Sequence, residues 1–306
     1  MIGSPDMSVN IGRMRLKNPV MPASGTFGYG KEYSEFLDLN QLGAVIVKTI
    51  TLKPRTGSFP HRSTEVPSGV LASIGLQNVG VESFIENKLP YFDDIKAPLI
   101  VNIGGLSVDE YVKVAEIINR QQRVDAIEVN ISCPNLDRGG MHFGVDPEIT
   151  RDLMARVRGV TEKTLIAKLP PIVTDIQLLA EICQQCGADG LSLINGPIGM
   201  AIDIKTRRSK LGRNTTGGLA GPAIRPLALY LVYQTCRAVD IPVVGIGGIS
   251  SPEDAIEFLI AGASAIEIGT WNFINPGIMM EVIKGIETYL VENKIGHLSE
   301  LIGTLS

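Results

Sequence analysis

An α/β barrel of eight parallel strands is the fold that three features of this sequence predict. They are eight short runs rich in β-branched residues, helical patterns alternating with those runs, and a Gly-Ala step leading into several of them. A chain of 306 residues suits one (β/α)8 (TIM) barrel, with residues 1–306 as a single domain.

The expected strands are Val20–Ser24, Ala44–Thr49, Leu99–Gly104, Ala126–Cys133, Leu165–Leu169, Gly190–Asn195, Val243–Gly248 and Ala265–Thr270. Most are apolar almost throughout, as strands covered on both faces must be. Between them lie helix signals. Ser107 is placed to cap a helix whose first turn holds Asp109 and Glu110, and Val108, Tyr111, Val112, Ala115 and Ile118 line one face. Ser251-Pro252-Glu253-Asp254 starts another, which Gly262 stops. The Gly-Ala steps are Gly43-Ala44, Gly187-Ala188 and Gly262-Ala263. Residues 8–18 read as an N-terminal hairpin outside the barrel. Two connections are much longer than the rest: about 50 to 97 after strand two, and about 196 to 241 after strand six. Both leave C-terminal strand ends, where barrel enzymes keep their chemistry, so they read as walls and lids of one site.

Composition narrows the setting. Hydrophobic residues are 44%, charged residues 20%, and the net charge is −4 with both signs interspersed, which gives no footprint for nucleic acid. Cys133, Cys183, Cys186 and Cys236 are too few for a disulfide scaffold and read as reduced thiols in the cytoplasm. No signal peptide or bilayer-length apolar run is evident, so no membrane is expected.

The sharpest ligand signal is glycine at the ends of strands seven and eight, in Val243-Val244-Gly245-Ile246-Gly247-Gly248 and Ile266-Glu267-Ile268-Gly269-Thr270. Glycine there lets backbone amides approach a phosphate closely. Gly245-x-Gly247-Gly248 departs from the dinucleotide fingerprint. Polar residues also recur at apolar strand ends: Ser24, Lys48, Asn102, Asn130, Lys168 and Asn195. Lysines in apolar strands are costly unless paired, so Lys48 and Lys168 suggest an anionic group between them. The N1–C2 carbonyl region of a flavin, anionic on reduction, would suit. Cys133, followed by Pro134, closes strand four at the barrel mouth, where a thiolate could take a proton. Cys183 and Cys186 fall on an apolar helix stripe with Ile176, Leu179, Ala180 and Ile182 and read as core, as does Cys236. No metal site is expected.

Together these segments resemble the dihydroorotate dehydrogenase family. The carriers run from Asn18-Pro19-Val20-Met21-Pro22-Ala23-Ser24-Gly25-Thr26-Phe27-Gly28 through Lys48-Thr49, Pro54-Arg55 and Ile74-Gly75-Leu76-Gln77-Asn78. They continue through Asn130 to Asn135, Gly139-Gly140-Met141, Asn195, Lys205-Thr206-Arg207, Thr216-Gly217-Gly218, Gly221-Pro222 and the two glycine segments. The similarity covers nearly the whole chain and is greatest to class 1, in particular the class 1B catalytic subunit. The resemblance implies an oxidoreductase of pyrimidine biosynthesis that binds FMN and oxidises dihydroorotate to orotate. It implies Cys133 as the base for the C5 proton while hydride leaves C6 for flavin N5, with Lys48 beside it. It assigns the flavin to Ser24, Lys48, Thr49, Asn102, Asn130, Lys168, Ile194, Gly221, Gly247, Gly248, Gly269 and Thr270. It assigns the substrate to Lys48, Ala72, Ser73, Ile74, Gly75, Leu76, Asn130, Asn135, Asn195 and Gly196. A homodimer and a separate FAD and iron–sulfur electron-transfer subunit are implied as partners.

The sequence departs from the family pattern at Ala72, where an Asn ligand is usual, at Gly196, where Thr or Ser is usual, and at Pro170, where Thr is usual. The first two departures predict weaker hydrogen bonding to orotate, each such bond to a charged group being worth ~1.5–3 kcal/mol. They also admit another dihydropyrimidine as substrate, or a non-catalytic flavin-bearing barrel. Asn135-Leu136-Asp137-Arg138 favours the dihydroorotate group.

Overall fold

The computed structural model describes residues 4–132, 134–135 and 141–306. Its main sheet has eight parallel strands: β1 (Val20–Pro22), β2 (Val45–Ile50), β3 (Leu99–Ile103), β4 (Ala126–Asn130), β5 (Thr164–Leu169), β6 (Gly190–Leu193), β7 (Val243–Ile246) and β8 (Ala265–Ile268). They follow one another in chain order around the sheet, and β8 pairs with β1 through Ile266 opposite Val20. The remaining seam, β1 to β2, is bridged where the Gly43 N–H donates to the Val20 carbonyl at 2.9 Å. Gly43 is glycine because a Cβ there would run into the Asn18 carbonyl, which explains one of the Gly-Ala steps.

Each expected strand overlaps an observed one. The observed strands stop short of Ser24, Gly104, Asn195, Gly248 and Thr270, because these residues already turn outward into the loops at the barrel mouth. In β1 the cause is local: Pro22 ends the run and has no N–H to continue a ladder.

Among the described residues seven α-helices cover the strands: α1 (Val81–Asn87), α2 (Val108–Asn119), α3 (Pro147–Arg158), α4 (Ile176–Gln185), α5 (Arg225–Cys236), α6 (Pro252–Ile260) and α7 (Ile278–Glu292). Capping follows the sequence signals. Ser107 accepts from the Glu110 N–H, Ser251 from that of Asp254, and Asp146 and Asp175 cap α3 and α4. The first unit differs from the ideal repeat. After β1 the chain makes only 3-10 turns at Lys31–Tyr33 and Leu39–Gln41, since Gly28 and Gly30 adopt φ of 57° and 82° and break helical continuity.

The hairpin Val9–Ile11 with Met14–Leu16 forms as expected and lies across the N-terminal mouth. There the Arg13 N–H donates to Thr164 Oγ1 at 3.1 Å, and a Cβ on Gly190 would meet Ile11 at 2.8 Å. At the opposite mouth the two long connections pair with each other. Ser63–Val66 and Gly69–Ala72 from the first join Gly217–Ala220 and Ile198–Gly199 from the second in one antiparallel sheet. This sheet, with Ala72 opposite Gly218, roofs the C-terminal ends of the barrel strands.

Candidate active site

One cavity runs under that roof and is lined from strand ends β1, β2 and β4 to β8 together with both long connections. It brings together Ser24, Lys48, Thr49, Ile74, Leu76, Asn130, Lys168, Ile194, Asn195, Gly196, Gly221, Gly247, Gly248, Gly269 and Thr270.

The glycine end is shaped by close approach. Gly247 and Gly248 have φ of 135° and 74°, and a Cβ on either would lie 2.7 Å from a side-chain carbon, Ala228 Cβ or Arg225 Cβ. Gly221 (φ 97°) and Gly269 each precede a 3-10 turn, Pro222–Ile224 and Thr270–Phe273, and neither turn has a side-chain cap. In the first turn Pro222 has no N–H and the Ala223 and Ile224 N–H groups donate to the Ser68 and Gly221 carbonyls, so the backbone that meets the cavity with amides is that of Gly247, Gly248, Gly269 and Thr270. The nearby Arg225 guanidinium is engaged by Asp254, with Glu257 at 3.7 Å. At this end the cavity wall is glycine backbone, with the one nearby guanidinium already paired.

The other end is polar and cationic. A bulge in the β2–β3 ladder between Val47 and Ile50 interrupts the inward–outward alternation and turns Lys48 into the cavity. Burial lowers the Lys48 pKa, the positive charge of Arg62 lowers it further, and Glu32 opposes both. Asn195 donates from Nδ2 to Asn130 Oδ1 at 2.9 Å, and its own Oδ1 is buried without a protein partner. An unpartnered buried carbonyl oxygen at the cavity wall is a position for a ligand N–H.

Lys168 does not stand alone facing an anion as its strand position suggested. Its ammonium donates to Glu267 at 3.0 Å and lies 3.6 Å from Glu128. Glu128 also accepts from Ser192 Oγ at 2.6 Å and from the Asn102 amide. Asn102 is fully buried, its amide donates to Glu128, and its own Oδ1 has no protein partner. Ala72, Ser73 and Gly75 belong to the segment whose Ile74 and Leu76 line the cavity. Ala72 is fixed between Ser63 and Gly218 in the roof, and the Ser73 N–H donates to the Arg62 carbonyl at 2.8 Å. Gly75 (φ 74°) has no room for a Cβ beside Ser58.

Gly196 does line the cavity, but not as a vacated ligand position. A Cβ there would sit 2.7 Å from the Leu219 carbonyl, so the residue is glycine because the roof strand passes against it. Cys133 lies outside the described residues. Of Asn135 only the backbone pairing with Met141 is described. Cys183 is fully buried in the core, and burial raises its pKa; the Cys236 thiol is pushed up to about 12 by the same cause. Both are inert packing residues. Among the described residues no group of three or more His, Cys, Asp or Glu is placed to hold a metal, and no helix is long and apolar enough to cross a membrane.

Sequence reasoning missed Glu128 and Glu267. Each is a lone acid in an apolar strand, the same signal that marked Lys168.

Fold and site define an α/β barrel with one chamber at its strand ends, walled by glycine turns on one side and by Lys48, Asn130 and Asn195 on the other. A family profile described as dihydroorotate dehydrogenase matches residues 6–290. The "Dihydroorotate dehydrogenase B (NAD(+)), catalytic subunit" of Trichlorobacter lovleyi is 50% identical over 98% of this chain and 99% of its own length. Proteins of the same name from Thermoanaerobacter sp. and Thermodesulfovibrio yellowstonii are each 51% identical, over the same shares. A solved DHODH from Eimeria tenella, in complex with ferulenol, superposes with a TM-score of 0.81 over 98% of this chain and 88% of its own, at 22% identity, and carries the fold alone. The chain belongs to the dihydroorotate dehydrogenase family, and these relatives place it with the class 1B catalytic subunits.

Proposed function

We propose that the chain oxidises dihydroorotate to orotate in pyrimidine biosynthesis, with FMN as its cofactor. The observation that carries the reading is the single cavity joining a glycine phosphate cradle to the Lys48, Asn130 and Asn195 chamber.

The residues fit FMN. The backbone at Gly221, Gly247, Gly248, Gly269 and Thr270 suits its phosphate, and Lys168 and Asn130 rise from the floor between cradle and chamber. Ser24 and Thr49 at the ends of β1 and β2, with Ile194 after β6, supply the remaining walls. When bound, FMN supplies the acceptor for the hydride from C6.

The chain supplies binding, orientation and proton removal. The Lys48 ammonium, turned inward by the bulge, offers a charge-assisted hydrogen bond to the substrate carboxylate or a ring carbonyl. The Asn130–Asn195 pair offers one free acceptor, Asn195 Oδ1, to a ring N–H. Ile74 and Leu76 close the chamber against water. Cys133, three residues beyond Asn130 in the sequence, takes the C5 proton as thiolate. Loss of that proton and of the C6 hydride together leaves the C5–C6 double bond of orotate.

The homodimer, the separate FAD and iron–sulfur subunit, the single-domain organisation and the cytoplasmic setting belong to the same proposal. The name borne by the relatives supports the separate subunit, and the free thiols of Cys183, Cys186 and Cys236 suit a reducing compartment.

The test is anaerobic addition of dihydroorotate to protein loaded with FMN, against dihydrouracil and dihydrothymine. Dihydroorotate alone should bleach the flavin. Bleaching by the others in its place would assign a different substrate.

A further inference from the structure

Beneath the cavity floor the barrel interior holds a polar layer where a TIM barrel normally packs branched apolar residues. Its charged members are Glu128 on β4, Lys168 on β5 and Glu267 on β8, all at most 5% exposed. The layers are ordered by register. Asn130 stands opposite Lys168, while Glu128 stands opposite Ile166, two residues deeper. Glu267 likewise precedes the cavity residue Gly269 by two. The ammonium therefore lies on the ligand side and both carboxyls on the barrel side.

Two carboxyls and one ammonium in a sealed interior do not balance if all are ionised. An uncompensated buried charge costs several kcal/mol, whereas retaining one proton removes it. The charges acting on each member are the other two. Ser192 from β6 and the Asn102 amide from β3 both donate to Glu128 and hold it as the anion, whereas Glu267 hydrogen-bonds to Lys168 and to Glu128 itself.

We propose that Glu128 and Glu267 are positioning residues that share one proton, keep the layer neutral, and so hold Lys168 as a fixed cation with its positive end toward the bound flavin. The inference rests on the flavin reading of the cavity. Burial, then the negative charge of Glu128, raises the Glu267 pKa well above the usual carboxylate range, against the pull of Lys168. Burial opposes ionisation of Glu128 as well, but Lys168 and the donated hydrogen bonds outweigh it and leave its pKa lowered. Two-electron reduction of the flavin with one proton adds one negative charge above this layer. A neutral layer whose cation faces upward favours that charge; a layer of net charge −1 would oppose it.

Infrared spectra of unlabelled protein against protein carrying carbon-13 glutamate test the shared proton without any flavin chemistry. At about pH 8, where exposed carboxyls are ionised, the parent should keep one carboxylic-acid carbonyl band. Its absence would overturn the proposal, and this measurement needs no variant to fold. Glu267→Gln should lose the band, and so should Glu128→Gln, because the remaining carboxyl then ionises against Lys168. A band surviving in both variants would place the proton elsewhere and overturn the assignment.

The second readout is the midpoint potential of bound FMN. Each single variant should stay near the parent. The double variant should favour reduced over oxidised flavin at least tenfold more than the parent, about 30 mV for a two-electron couple. That full rise in Glu267→Gln alone would mean that both acids are ionised in the parent, and no rise in the double variant would remove the electrostatic role. A chain that takes up no FMN would defeat the flavin reading while the infrared result still decides the shared proton.

Discussion

Lys48 and Lys168 stand at equivalent ends of two apolar strands, β2 and β5, yet the barrel treats them differently. Lys168 is locked between two acids, whereas burial and Arg62 weaken the charged form of Lys48. The acids carry the same local signal as the lysines, a lone charge in an apolar strand, but their pairing with Lys168, across 99 residues of chain for Glu267, is tertiary and leaves no trace in the sequence. The raised Glu267 pKa has a consequence for stability. The folded state holds a proton that the unfolded chain releases above about 4.3, so Glu267 makes stability fall as pH rises from there toward its folded value. Glu267→Gln should flatten that fall, measured by urea midpoints across pH; an unchanged slope would contradict the assignment. At Gly196 the roof strand passes against the cavity wall. Because the missing Cβ makes room for the Leu219 carbonyl, Gly196→Thr should cost about 1–3 kcal/mol of stability and weaken orotate binding. Tighter binding would restore the view that a ligand has been lost there. Cys133→Ala should retain flavin but lose about 10²–10⁴ in the rate of substrate-driven reduction. The parent's rate should rise with pH toward the ordinary thiol value near ~8.5. Equal reduction rates in variant and parent would demote the thiol.

Among the elements, strand positions, caps and the N-terminal hairpin were legible because each depends on neighbours in sequence. Ser251 announces α6 through its spacing to Asp254, and the hydrogen bond is present. Ser251→Ala should cost ~1 kcal/mol, read from thermal or urea unfolding, with FMN content unchanged. The missing helix after β1 was less legible, because several glycines act together to break it. The cradle glycines were legible as a pattern, but their cause is tertiary. Gly247 adopts φ of 135° and touches the Ala228 side chain of α5. Gly247→Ala should strain this backbone by about 1–3 kcal/mol and weaken FMN retention about tenfold or more, measured by flavin released on dialysis. Undiminished retention would move the phosphate away from this turn.

In the whole molecule, the barrel supplies a rigid floor and the two long connections, joined through Ala72 and Gly218, supply the roof. Their length in the sequence signalled a site, but their pairing did not, since Gly69–Ala72 and Gly217–Ala220 lie far apart in the chain and are short and glycine-rich. Ala72 is held in the roof ladder, while Lys48, Asn130 and Asn195 line the chamber at the strand ends and are the residues proposed to hold substrate. The most direct measurement is anaerobic absorbance of the protein loaded with FMN during titration with dihydroorotate. The flavin band should bleach, with orotate formed in equal amount. A protein that binds no FMN, or whose flavin stays oxidised with dihydroorotate in excess, would contradict the account.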